Sequence, residues 1–356
     1  ECTLNFIPTW RSKIDALRAV TTLDNVELCE QYTDMVRMLR DEACAMFVKV
    51  ARIGFFAYVR LERLLQKLFS GDADRYAQGL IAGIPRTENP NLQMNVDLVR
   101  LHRGEISLDV LVRQYGHLGV HELEIAFPRY REQMEMFEAL SAQLTPDIET
   151  SLDDKVRQSH ALRQRLVEEA GDKGQELDYA IEITRTYLPL RELVKFEYLR
   201  GYDILRNISQ VLEMRLGWDN GLIFFLYPDE ISVLLEDSNM RNRAEGRRRE
   251  HDENVEEVYV PAVFFSNRLK DIGRFALEAD GSEIFSGIGV SNAMAVGQVV
   301  IVKDLRDTAS IALLKPGSIL VASMTDPAWS PLFSIVGSAG GLITEVGGML
   351  AHGAIY

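Results

Sequence analysis

Two stretches almost free of helix breakers constrain this chain more than anything else in it. From Asp24 to Phe69 there is no proline and a single glycine, Gly54, while Val26, Cys29, Tyr32, Met35, Val36, Leu39, Ala43, Phe47 and Val50 recur at three- and four-residue spacing. That period marks an amphipathic helix, expected either as one long helix or as two broken near Gly54. Phe55, Phe56 and Tyr58 widen its apolar face, so burial on several sides is expected there. A second stretch, Leu177 to Leu216, is helical by the same rule, broken or bent near Pro189 and stopped by Gly217. Two such elements leave little room for a barrel or a large sheet.

The segments between them read more loosely. Gly79, Gly83, Pro85 and Pro90 make Gly71 to Asn91 loop-rich, and Asn91 to Gln114 reads as shorter helices. Ser151 to Glu169 is a charged helix with solvated faces, and Asn239 to Glu253 an arginine-rich solvated helix. Glu257 to Glu283 is a connecting region, with Ala279 to Ser282 as its hinge.

A formal net charge of -14 argues against a nucleic-acid partner, whose footprint is normally basic. The apolar region Ala43 to Leu61 is interrupted by Lys49, Arg52 and Arg60, so it is not a membrane span. Cys2, Cys29 and Cys44 are too few and too scattered for a disulfide framework or a zinc site. With no recognisable signal peptide, a cytoplasmic location is expected.

The chemistry points to the C-terminal end. Gly340 to Thr344 reads as a short buried strand entering a double-glycine turn, Gly347-Gly348, followed by His352 between Ala351 and Gly353. Small neighbours leave the imidazole uncovered, and histidine can act as a nucleophile near neutral pH. In isolation such a histidine also has a purely structural reading. Its company is more specific: Gly287-Ile288-Gly289-Val290-Ser291, Gly297 to Val302, Lys315 to Ala322, and Thr325-Asp326-Pro327-Ala328-Trp329-Ser330-Pro331-Leu332-Phe333.

Taken in order with Thr344 and His352, these motifs resemble the mobile phosphohistidine domain of the phosphoenolpyruvate-utilising enzymes. The resemblance runs from about Gly287 onward. Two residues depart from the family pattern: Ala351 stands where serine is usual, and Gly353 where alanine is usual. A second segment, Gly116-His117-Leu118-Gly119-Val120-His121-Glu122-Leu123 through Pro128-Arg129-Tyr130, is similar to a motif of the rifampin phosphotransferase branch, with Tyr130 in place of the more usual tryptophan. His117 and His121 are four residues apart, but Gly116 and Gly119 argue against a regular helix and a metal pair. Positioning a loop or contacting an acceptor is the expected role. Phe224 to Ile231 is similar to an element that, in the same family, is a brief extended piece followed by a capped helix.

The resemblance implies an α+β architecture. A mainly helical acceptor-binding domain over residues 1–278 would precede a small α/β swivelling phosphohistidine domain over 284–356, incomplete because the chain stops four residues past His352. It also implies an ATP-dependent, dikinase-type phosphotransferase. The phosphoryl group of ATP would pass through His352 to a hydroxyl of a hydrophobic small molecule, as in rifampin resistance. ATP and Mg²⁺ would sit on an ATP-grasp domain elsewhere in a longer polypeptide, and this chain alone would bind neither. Alternatives are a phosphoenolpyruvate synthase-like enzyme, a prodigiosin-type condensing enzyme, or a binding module that has lost transfer activity.

Phosphoryl transfer needs a nucleophile, cations for the developing oxygen charge, and a base for the acceptor hydroxyl. His352 supplies the first. Arg191 and Lys195 share one helix face at i, i+4 spacing, and the resemblance implies that they belong to the transfer site, at the mouth of an apolar pocket. Spacing alone also fits two exposed cations paired with Glu192 or Glu197, contributing little to folding. Thr344 either holds the imidazole through its hydroxyl or simply ends a strand as a β-branched residue; Gly347 and Gly348 shape the turn.

Overall fold

A computed structural model describes residues 2–17, 19–85, 88–144, 147–255, 287–290, 294–347 and 353. The fold is α+β. Ten helices come first among these residues: α1 (Cys2–Asp15), α2 (Asn25–Met38), α3 (Ala45–Phe69), α4 (Ala73–Ile81), α5 (Pro90–His102), α6 (Leu108–Tyr115), α7 (Met134–Ser141), α8 (Ile148–Glu169), α9 (Gly174–Arg215) and α10 (Met240–Asn254). They are followed by β1 (Val299–Ile301), α11 (Thr308–Ile311), β2 (Ile319–Ala322), α12 (Ser330–Val336) and β3 (Gly341–Thr344). The chain clusters into two units, one of Glu1–Ala16, Leu39–Asp203 and Gly289–Tyr356, the other of Leu17–Met38 and Ile204–Ile288. Among the described residues no helix is long and apolar enough to cross a membrane.

In the first unit α3, α4, α8 and α9 close around Leu61, Leu65, Leu80, Leu166, Leu177 and Ile181, none of which reaches solvent. A smaller cluster of Ile7, Val50 and Val194 joins α1, α3 and α9. The stretch from Asp24 to Phe69 is interrupted, but not at Gly54. A π-helical segment, Leu39–Cys44, separates α2 from α3, and its wider turn resets the helix face. Gly54 lies inside α3, where a Cβ would sit 3.2 Å from the Tyr187 carbonyl oxygen. The glycine serves close approach to α9, not a break. Of the aromatic trio, Tyr58 is buried, whereas Phe55 and Phe56 are 49% and 67% exposed.

The region expected to be loop-rich contains α4, which survives Gly79 because that glycine packs against Leu162. The C-terminal carbonyls of α4, which lack helical partners, are taken by Arg185 of α9. Its guanidinium donates to the oxygens of Leu80 and Gly83, both at 2.7 Å, and to Ser159 Oγ at 2.6 Å. A methyl group on Gly83 would collide with Ser159 Cβ and lie 2.8 Å from the Lys155 carbonyl oxygen. Gly83→Ala should therefore lower stability by about 1–3 kcal/mol through overpacking, as read by denaturant unfolding. An unchanged midpoint would mean that α8 yields freely there.

Helix α9 continues through Pro189. It stops where the sequence places its stop: Gly217 has φ +65°, its N–H reaches the Met214 oxygen at 3.2 Å, and Trp218 N–H reaches the Glu213 oxygen at 2.9 Å. This pair of bonds is the Schellman cap. In the second unit, Phe224 to Ile231 forms no extended piece and capped helix but two 3₁₀ turns, Leu222–Phe225 and Ile231–Val233. Arg247 of α10 holds them together, donating to the Phe225 carbonyl at 3.0 Å and to the Glu230 carboxylate, with its guanidinium 4.0 Å from the Tyr227 ring centre.

The sheet is parallel, in the order β1-β2-β3, with Val300 opposite Leu320 and Leu320 opposite Leu342. Val300, Leu320 and Ala322 are buried along with Leu332, Ile335 and Val336 of α12. Strand β3, expected to be buried, is only half-covered, and Ile343 is exposed.

Candidate functional site

Residues 116–131 form a closed loop pinned to α9. Arg131 N–H donates to the Gly116 oxygen at 3.1 Å and Tyr130 N–H to the Leu118 oxygen at 2.8 Å, drawing the ends together. At Gly119 a Cβ would lie 2.6 Å from the Pro128 oxygen, so only glycine lets the strands of the loop close. His117 is buried, and its Nε2–H donates to the Phe196 carbonyl at 3.0 Å while the ring packs edge-on against Phe196. Burial, aided by Arg200, holds its pKa well below the usual range, so it acts as a neutral anchor. Arg131 pairs with Asp203, and the fully buried Arg129 donates to the Glu122 carbonyl at 2.9 Å. Positioning the loop, one of the roles expected for His117, is what the geometry shows.

This anchoring delivers Glu122 onto Lys195, the residue before Phe196. Lys195 Nζ forms an ion pair with Glu122 Oε1, and Arg191 donates from Nε and Nη2 to Glu192 Oε1 at 2.9 and 2.7 Å. Glu192 Oε2 also accepts from Asn91 Nδ2 at 3.3 Å. Glu192 thus acts on both cations, bonded to Arg191 and attracting Lys195. The two cations are not exposed surface charges: their side chains are only 20% and 18% exposed, and Glu122 is 4% exposed. Asp326, from the turn before α12, joins them electrostatically and accepts the Ala328 N–H at 2.9 Å. Two cations thus face three carboxylates.

Burial pushes the Glu122 carboxyl up to about 7; Lys195 opposes this, and Asp326 and Glu192 add to it. Asp326 is likewise raised, chiefly by burial. For Lys195, burial alone would lower the pKa, but attraction to Glu122 and Glu192 outweighs it and the net shift is upward, keeping the ammonium charged. A carboxyl that titrates near neutrality within a cation cluster is a recurrent mark of a functional site.

The sheet region meets this cluster within the same unit. His121, at φ +51°, places Nε2 3.5 Å from Asp304 Oδ2 and packs edge-on against Phe127, whose ring also carries the Arg306 guanidinium at 5.2 Å. Two donor contacts from Arg306 hold the Asp304 carboxyl down at about 2. Asn95 of α5 reaches Ser330 Oγ at 2.8 Å and Ser334 Oγ at 2.9 Å on α12. Gly353 lies against Thr325, Leu342 and Phe333; an added Cβ would be 3.2 Å from Thr325 Oγ1 and would clash with Leu342. That contact is a physical reason for glycine where the family has alanine.

Thr344 ends β3 opposite Ala322, and Gly347 follows it in the described chain. Gly348, Ala351 and His352 lie outside the described residues, as does the hinge at Ala279 to Ser282. A pocket of about 230 Å³ is lined by Arg75, Tyr76, Gly79, Ala82, Lys155, Gln158 and Leu162, away from Arg191 and Lys195. Among the described residues no group of three or more His, Cys, Asp or Glu side chains is placed to hold a metal ion. Sequence reasoning missed Glu122 and Asp326. Glu122 stands beside His121 in the loop motif, but nothing local says which cation it meets.

The description "PEP-utilising enzyme, mobile domain" matches residues 314–356, a span that includes His352. Curated relatives named Rifampicin phosphotransferase match over longer stretches. The Streptomyces sviceus protein is 25% identical over 265 residues, 70% of this chain and 30% of the relative. The Bacillus subtilis protein is 27% identical over 198 residues, 54% and 22% respectively. The Bacillus cereus protein is 24% identical over 278 residues, 73% and 31%. The chain therefore spans less than a third of the length of these relatives. The mobile-domain match over its final residues and the rifampicin phosphotransferases among its relatives support the PEP-utilising enzyme family, and the chain is rifampin phosphotransferase-like.

Proposed function

We propose that this chain supplies the acceptor-side and carrier parts of an ATP-dependent phosphotransferase. His352 takes a phosphoryl group from ATP and passes it to a hydroxyl of a hydrophobic small molecule, rifampicin being the first candidate. ATP and Mg²⁺ belong, on this reading, to an ATP-grasp domain of the same polypeptide, and the products are the phosphorylated acceptor, AMP and inorganic phosphate. One observation carries the reading: Arg191 and Lys195 converge with Asp326 of the mobile-domain segment in a single half-buried cluster. Arg191 offers a planar fork and Lys195 a point charge, a combination suited to phosphate oxygens. Glu192 and Glu122 hold these cations meanwhile, and an incoming phosphoryl group must compete with them.

The test follows phosphoryl transfer in the full polypeptide with ATP and rifampicin. Phosphorylated rifampicin with matching AMP and phosphate is expected. Arg191→Ala should lower turnover by at least about tenfold, or roughly 1.4 kcal/mol of transition-state stabilisation. Product formation at the parental rate would return Arg191 to a structural pairing with Glu192.

A further inference from the structure

Transfer to a hydroxyl needs a proton acceptor, and three carboxylates stand at the cluster. Glu192 is occupied on both oxygens, by Arg191 and by Asn91. Asp326 spends itself on loop backbone, accepting the Ala328 N–H at 2.9 Å and a backbone N–H of His121. Among the described residues Glu122 meets one donor, Lys195, through one oxygen. Glu122 also sits where the helical part and the sheet part of the unit meet, between Lys195 and Asp326. Its loop is fixed to α9 through His117 and Phe196, and Asp326 beside it follows Thr325, against which Gly353 rests. We propose that Glu122 is the base that takes the proton of the acceptor hydroxyl as the phosphoryl group leaves His352.

This rests on the phosphotransferase reading. In the step, the P–N bond to the imidazole breaks and its electron pair returns to the ring nitrogen. The acceptor oxygen forms the new P–O bond, and its proton moves to the Glu122 carboxylate. The ring, protonated beforehand on its other nitrogen, leaves as neutral imidazole, and the Glu122 carboxylic acid later returns its proton to solvent. Lys195 keeps the carboxylate available while lending charge to the transferring group. Transfer then requires Glu122 ionised, and its carboxyl titrates at about 7. The groups that face it are Lys195, Glu192 and Tyr198 on α9, Asp326 from the turn before α12, and Arg129 and Tyr130 on its own loop. The transfer rate should rise about tenfold per pH unit below neutrality and level off above it.

The experiment charges the full polypeptide with β-labelled ATP and follows loss of label to rifampicin, and in parallel to water alone, between about pH 5.5 and 8.5. The parent should show a break near pH 7. Glu122→Gln should take up label normally, which also reports its folding, discharge it about 100-fold more slowly, and lose the break. Discharge at the parental rate, or a break that persists in Glu122→Gln, overturns the assignment. So does a flat profile in the parent, a measurement that needs no variant. A parent that never takes up label sinks the phosphotransferase reading and Glu122's role with it, whereas normal labelling with unaltered discharge in Glu122→Gln sinks Glu122 alone.

Discussion

Replacing Lys195 by alanine is expected to destabilise the protein, and by about 1.4 kcal/mol more at pH 8 than at pH 6. The cation is the counter-charge of a carboxylate that is 4% exposed, and removing one member of a buried pair leaves the other charged and uncompensated. The pH dependence follows from the direction of the Glu122 shift. Its folded-state pKa, about 7, lies above the ordinary carboxylate value, so its contribution to stability is fully present below that ordinary value and is lost as pH rises from there to 7. Lys195 is the main influence opposing that rise, so without it the carboxyl binds its proton still more tightly. At pH 6 the stranded group is neutral and only the packing of the lysine stem is lost. At pH 8 the protein must either bury a bare carboxylate or pay to protonate it. Denaturant unfolding at both values reads the difference directly, and adding Glu122→Gln should abolish it. Equal losses at both pH values would show that the ion pair matters no more than an exposed one.

That expectation reverses what spacing alone suggests for Lys195, and the reversal shows where sequence becomes silent. The i, i+4 pair was legible because helix periodicity fixes which residues share a face. Glu192, the neighbour of Arg191, was legible as its partner for the same local reason. Glu122 was not, because its meeting with Lys195 depends on a loop closed by Gly119 and hung from α9 by His117. Long-range pairing of that kind leaves no periodic trace. It turns an apparent pair of surface cations into a buried network.

Glycines divide along the same line. Gly217 was readable as a stop because a positive φ after a helix is a local demand that glycine meets best. Gly54 left a break open and Gly79 was read as part of a loop-rich one, because their meaning lies in what packs against them: Tyr187 in one case, Leu162 in the other. The π-helical segment Leu39–Cys44 had no signal at all, since one extra residue per turn leaves the composition of an amphipathic helix unchanged. In the sheet, only β3 was read as a strand from its own residues, Gly340 to Thr344; β1 and β2 fall within Gly297 to Val302 and Lys315 to Ala322, stretches that entered as motifs of the resemblance.

His352→Ala should abolish phosphoenzyme formation altogether in the full polypeptide. Expectation and motif converge on that residue: it lies within residues 314–356, which match the mobile domain of the PEP-utilising enzymes, and it follows a double glycine with only Ala351 and Gly353 beside it. A carrier differs from a helper in how its loss is felt. On the proposed reading, removing a cation such as Arg191 should only slow transfer, because other charges still stabilise the transition state. Removing the atom that forms the covalent bond leaves no intermediate to stabilise. Labelling with β-labelled ATP should therefore give an acid-labile, base-stable phosphoprotein in the parent and only background in His352→Ala, while folding is preserved. Ala351, where the family has serine, adds a second expectation from the same assay: Ala351→Ser should lengthen the lifetime of the label if the missing hydroxyl normally shelters the phosphoramidate. Label that persists undiminished in His352→Ala would place the carrier on another residue and remove the basis for reading the Glu122–Lys195 cluster as its destination.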